Sequence, residues 1–135
     1  MSNVKFSTYL HILTLLYIQK ENYLSSDFIA SSINVHPVLI RKAIGELKKN
    51  GFIESKEGKS GGSKLAKKAG KTALSAIYKL VSDVPALGKN NTPNPECLVG
   101  KQINKHLDKL NDEVEKAVYK QLEKTTLSGF AKQFK

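Results

Sequence analysis

One arginine, one cysteine, three histidines and a run of lysines hold what chemistry this chain could perform. Arg41 carries a planar fork of donors that can take guanine O6 and N7 together, or can clamp a phosphate; the residue type allows both. Lys42, Lys48, Lys49 and Lys59 are point charges suited to phosphate contacts or to plain solvation. His11, His36 and His106 do not pair at any metal-like spacing, so each reads as structural or surface, and no metal site is expected. Serines are plentiful, but no Ser-His-Asp or Cys-His arrangement marks a nucleophile. No catalytic residue is therefore assigned and no enzyme is expected. The stretch "GKSGGSK" (Gly58 to Lys64) does not satisfy the GxxxxGK[ST] pattern of a phosphate-binding loop.

The charge is concentrated. Residues 1–34 carry Lys5, Lys20, Glu21 and Asp27, which cancel, in a chain whose formal net charge is +10. Residues 35–70 carry Arg41, Lys42, Lys48, Lys49, Lys56, Lys59, Lys64, Lys67 and Lys68 against Glu46, Glu54 and Glu57. A focused basic stripe predicts a polyanionic partner. A single cysteine excludes an intramolecular disulfide and suits a reducing, cytoplasmic setting. The apolar run "YLHILTLLYI" is too short to span a bilayer and has no small-residue cleavage site, so no membrane association is expected.

These groups need elements to position them. Phe6, Tyr9, Leu10, Leu13, Leu16 and Tyr17 recur at helical spacing, and Ile12, Leu15 and Ile18 add a second apolar face. A helix apolar on two sides must be covered twice, by its own domain and by something else. "SSDFIASSINV" offers Ser25 or Ser26 as cap of a short second helix. In "HPVLIRKAIGELKKNG" Pro37 suits the first helical position and Asn50-Gly51 the stop. Ile40, Ala43, Ile44 and Leu47 form the inward stripe of this third helix, while Val38, Arg41, Lys42 and Gly45 lie outward. Two short helices joined tightly, the second basic outside, read as a helix-turn-helix. "FIES" and "KLA" then read as strands flanking a hairpin loop, "KEGKSGGS". Gly61 and Gly62 would let that loop turn and approach a partner's backbone, as the wing of a winged helix.

Thr72 is the expected cap of a further helix, "ALSAIYKLV", and residues 83–96 form a connector rich in Pro, Asn and Gly. Asn94 and Pro95 read as cap and first residue of a long helix running to about Lys124, roughly 25–28 residues or about 40 Å. Its stripe of Ile103, Leu107, Leu110, Val114 and Val118 is the expected dimerisation surface. Cys97 would then lie in the first helical turn, where unpaired N–H groups favour a thiolate. Lys101 would help and Glu96 oppose. With no second cysteine, oxidation would give a sulfenic acid, a mixed disulfide or a bridge between subunits. The alternative is a small, partly buried apolar residue.

Four ordered stretches, "NVHPVLIRKAIGELKKNGFIES", "GKSGGSKLAKKAGKTALSAIYKLV", "CLVGKQINKHL" and "TTLSGF", resemble the Rrf-two family of bacterial winged-helix transcriptional regulators. The resemblance covers most of residues 30–130. It implies a homodimer on a pseudo-palindromic operator, with the first helix packed on the partner's long helix. Carried over by position, His36 to Lys42 would enter the major groove and Ser60 to Lys64 would form the wing tip. Cluster-binding relatives carry three cysteines about six positions apart. Around Cys97 those places hold Pro85, Asn91, Ile103 and Lys109, so no iron–sulfur cofactor, nor any other, is expected.

The fold expected is mainly α with a small β-wing: a winged helix-turn-helix over 1–82, a connector over 83–96, and a dimerisation helix with tail over 97–135. The function expected is sequence-specific binding of double-stranded DNA by a homodimeric repressor. Its DNA contacts would be His36, Val38, Arg41, Lys42, Lys48, Lys59, Ser60, Gly61, Gly62 and Lys64. The signal would be a small molecule, or an oxidant acting at Cys97. The alternative is a winged-helix adaptor docking an acidic protein, which would not shift a duplex from its own promoter region.

Overall fold

The computed structural model describes residues 4–134. The element order is α1 (Lys5–Ile18), α2 (Ser26–Ile33), α3 (Pro37–Lys49), β1 (Ile53–Lys56), β2 (Gly62–Leu65), a 3-10 turn (Ala69–Lys71), α4 (Leu74–Val81), α5 (Ile103–Leu122) and α6 (Leu127–Ala131). Mainly helical, with one small antiparallel sheet, it is the winged-helix architecture that the periodicity predicts.

Helix α1 is the spine of the core. Ile12, Leu13 and Leu16 are fully buried, with Ile29 of α2, Ile40 and Leu47 of α3, Ile77 of α4 and Leu127 of α6 around them. The buried hydroxyl of Thr14 donates to Leu10 O at 2.7 Å, so it adds no unpaired group. The second apolar face of α1 is covered in part by α6 from the same chain. Between the two helices an open groove of about 440 Å³ remains, lined by Leu10, Leu15, Ile18, Phe130 and Phe134 among others. Helix α6 starts with Thr126 as cap, its Oγ1 accepting from Gly129 N at 3.1 Å.

Two local expectations are corrected. Thr72 does not cap α4: the cap position is Ala73, and Leu74 N donates to Thr125 O while Leu127 N donates to Thr72 O. A short bridge between two chain segments thus replaces a side-chain cap. The long helix begins at Ile103, not Pro95, and is 20 residues long, about 30 Å. Asn94 does accept from Glu96 N as a cap would, at 2.9 Å. The chain then closes a turn, Cys97 N to Asn94 O, and the helix does not propagate. Gly100 packs against that turn, where a Cβ would run into the carbonyl oxygen of Asn94. The wing glycines are likewise spent on the chain's own backbone. Gly62 has φ +146° and lies against the backbone of Leu24, and a Cβ on Gly61 would meet Lys56 O.

Candidate nucleic-acid interface

The helix-turn-helix is capped at each step. Ser25 Oγ accepts from Phe28 N at 3.1 Å to open α2. Asn34, at φ 64°, closes it in the left-handed conformation that Asn tolerates. His36 then caps α3, its Nδ1 accepting from Val38 N at 3.1 Å, with Pro37 at the first helical position. That geometry leaves the imidazole's proton on Nε2.

With Ile40, Ala43, Ile44 and Leu47 buried, the opposite face of α3 turns to solvent. Arg41, Lys42 and Lys48 are exposed there, and among the described residues they have neither an ion pair nor a hydrogen-bond partner. Val38 and Leu39 stand in the first turn at 54% and 57% exposure, next in the chain to His36. Leu39, like Val38, lies outside the inward stripe of the helix. Tyr9 of α1 fixes the helix from behind: its hydroxyl donates to Glu46 Oε1 at 2.8 Å. Burial first, and then Glu46 and Asp83, push the Tyr9 phenol well above the ordinary tyrosine range.

The wing is a hairpin with register Ile53↔Leu65, Glu54↔Lys64, Ser55↔Ser63 and Lys56↔Gly62. Leu24 adds a third, one-residue strand, exchanging both backbone bonds with Ser63 at 2.8 Å. The loop between the strands is therefore residues 57–61, turned by Gly58 at φ +99°. Lys59 and Ser60 occupy its exposed tip, with half-buried Gly61 closing it. Gly62 and Lys64 do not: they lie in β2, so the expected tip of Ser60 to Lys64 is shifted toward the hairpin apex.

Helix α5 uses its faces differently. Glu115 accepts from Ala86 N at 2.8 Å and Asn111 from Leu87 N at 3.0 Å. Asp108 accepts from Asn90 Nδ2 at 2.9 Å, and Asn104 donates to Asn91 O at 2.9 Å. Residues 104, 108, 111 and 115 thus form a polar seam that pins the connector along the helix. Tyr78 adds its hydroxyl to Glu115 and its ring edge-on to Tyr119, 5.3 Å away. The apolar stripe lies about a quarter-turn round. Ile103 and Leu110 are 38% and 49% exposed, while Leu107, Val114 and Val118 are half-buried.

Cys97 lies in the turn before α5 and is exposed, not partly buried. Backbone N–H groups of Gly100 and then Val99 hold its thiol below the ordinary value. The direction is the one expected of a helix start, although here a turn supplies the donors. Among the described residues no helix is long and apolar enough to cross a membrane.

Comparison with known proteins follows the same outline. The family described as "Rrf2: Iron-dependent Transcriptional regulator" matches residues 2–133. The chain is 34% identical over 128 residues to YwnA of Bacillus subtilis (strain 168), by name an HTH-type transcriptional regulator, covering 94% of each chain. Its fold is similar to that of CymR, titled the global cysteine regulator of B. subtilis (TM-score 0.73, 19% identity, 100% of this chain and 98% of that one). It is also similar to that of T. potens IscR (TM-score 0.70, 18% identity, 100% and 88%). The family description names iron, and the donor set here does not fit it. Cys97 is the single thiol, and among the described residues no three His, Cys, Asp or Glu side chains gather to hold a metal. The winged-helix geometry and the match over nearly the whole chain make this protein a member of the Rrf2 family, a DNA-binding transcriptional regulator.

Proposed function

We propose that the protein is a homodimeric repressor that reads a pseudo-palindromic operator through α3 and the wing. One observation carries this reading: the inner face of α3 is fully spent on the core, while its outer face presents Arg41, Lys42 and Lys48 with no partner among the described residues. His36, Val38, Leu39, Arg41 and Lys42 enter the major groove, where Arg41 reads a guanine and the apolar pair meets thymine methyls. Lys48 meets phosphate, and Lys59, Ser60 and Gly61 bring the wing tip to the backbone or minor groove. Gly62 and Lys64 act from β2.

Ile103, Leu107, Leu110, Val114 and Val118 form the dimer contact, and the groove along α1 receives the partner's long helix. Two such half-sites lie one turn of DNA apart, about 34 Å. A dimer seated across a promoter excludes polymerase, so its output is repression. Cys97 is the proposed point of response to oxidant, supported by its exposure and its lowered thiol.

The test is a duplex from the protein's own promoter region. Wild type should shift it as a dimer, and Arg41→Ala should lose about 1–3 kcal/mol at one base pair per half-site. A uniform loss over all sequences would make Arg41 a phosphate clamp. Mild oxidant should change operator affinity in wild type but not in Cys97→Ser. Unaltered wild-type binding with a modified thiol removes the redox element.

A further inference from the structure

The wing carries an aromatic residue that the interface above does not use. Tyr23 precedes Leu24, whose N–H and C=O both pair with Ser63, so it sits at the sheet edge beside β2. Register sorts the two faces of that sheet. Ile53, Leu65, Ser55 and Ser63 share one face; Glu54, Lys64, Lys56 and Gly62 share the other. Alternation from Leu24, opposite buried Ser63, sends Tyr23 to the outer face. There its ring centroid lies 5.3 Å from Lys64 Nζ and 5.7 Å from Lys56 Nζ.

One ring therefore serves two ammonium groups from two strands. Gly62 lets Leu24 lie this close: it pairs with Lys56, and a Cβ on it would run into the backbone of Leu24, next in the chain to Tyr23. Glu54 sets the need for the ring. It is the direct cross-strand partner of Lys64, and a carboxylate that captures an ammonium neutralises it. An aromatic face attracts the same ammonium through its quadrupole and leaves its charge intact.

We propose that Tyr23 is a positioning residue that presents Lys56 and Lys64 as a paired binding site for the DNA phosphate backbone at the root of the wing. This site is separate from the tip at Lys59 and Ser60. The inference rests on the reading of the wing as a DNA-contacting element. Its ligand is phosphate, so its contribution is the same for every duplex sequence.

The experiment is a double-mutant cycle on affinity for the promoter duplex and for an unrelated duplex. Tyr23→Leu should weaken both by about fivefold, as expected for two exposed cation–π contacts. It should also make the dependence of log K on log salt shallower by about one. Tyr23→Phe should keep wild-type affinity, because the ring face is retained. In a Lys56→Ala/Lys64→Ala chain, Tyr23→Leu should have no further effect. A Tyr23→Leu loss that persists without the lysines, or a Tyr23→Phe loss as large as that of Tyr23→Leu, overturns the proposal. Tyr23→Gln completes the same cycle if Leu at this edge unfolds the chain. A wild-type protein that binds neither duplex overturns the wing reading itself, whereas wild-type binding with an unmoved Tyr23→Leu overturns the paired site alone.

Discussion

Helix α3 sets Ile40, Ala43, Ile44 and Leu47 against the core and turns Arg41, Lys42 and Lys48 to solvent. Helix α5 sets Asn104, Asp108, Asn111 and Glu115 against its own connector and leaves Ile103 and Leu110 open. One is apolar inward and cationic outward; the other is polar inward and apolar outward. The face each leaves unsatisfied defines what it should meet. A cationic face awaits a polyanion, and contacts of that kind weaken with salt. An apolar face awaits another apolar face, and burial of that kind is nearly salt-indifferent.

The largest effect should come from salt. If a dimer neutralises about 6–10 phosphates, DNA affinity should fall by about 10³–10⁵ between about 50 and 200 mM salt. The dimer dissociation constant, measured by sedimentation, should stay within a few-fold. Parallel losses in both would erase the contrast between the helices. Next is Leu110→Asp, which places an unpaired charge in the open stripe. Monomers by sedimentation and about a 100-fold loss on the operator, or about 2.7 kcal/mol, are expected. A dimer that survives intact would move the interface to α1.

Tyr9→Phe tests the support behind α3. A lost hydrogen bond to a carboxylate should lower stability by about 1.5–3 kcal/mol, read from denaturant melts. The pH sign follows from the raised phenol. Its contribution is fully present below the ordinary tyrosine value of about 10 and is lost as pH rises toward the folded value. Wild type should therefore lose its advantage over Tyr9→Phe in alkali, and a constant difference across that range would exclude the linkage. The smallest effect expected is that of Asn111→Ala, about 0.5–1.5 kcal/mol for one seam bond. Hydrogen exchange at the Leu87 amide should speed up while the α3 amides stay protected.

Sequence reading served these two helices unequally, for a physical reason. The stripe and caps of α3 are side-chain signals, and Pro37, Ile40 and Leu47 sit where periodicity puts them. On α5 the apolar stripe was legible, but the seam was not, because its partners at Ala86, Leu87 and Asn91 are backbone groups that no residue pattern displays. The false start at Asn94 has a similar origin. A side chain accepting from the N–H two residues on opens a helix and a turn equally well, and only Gly100 and the closing carbonyl decide between them. In the wing, Gly61 and Gly62 announced an unusual backbone but not which neighbour required it.

Leu127 is fully buried against α1, although more than forty residues separate its helix from the end of α4. The chain leaves the globule for its connector and long helix, then returns to plug the globule it left. A gene segment ending after α4 would encode a core with a leucine-sized hole, a defect of about 2–5 kcal/mol. Recombination cannot then trade the long helix as a free cassette. Each exchange must carry the returning tail or repair the vacancy, so the winged-helix globule and the long helix can be exchanged only as one piece.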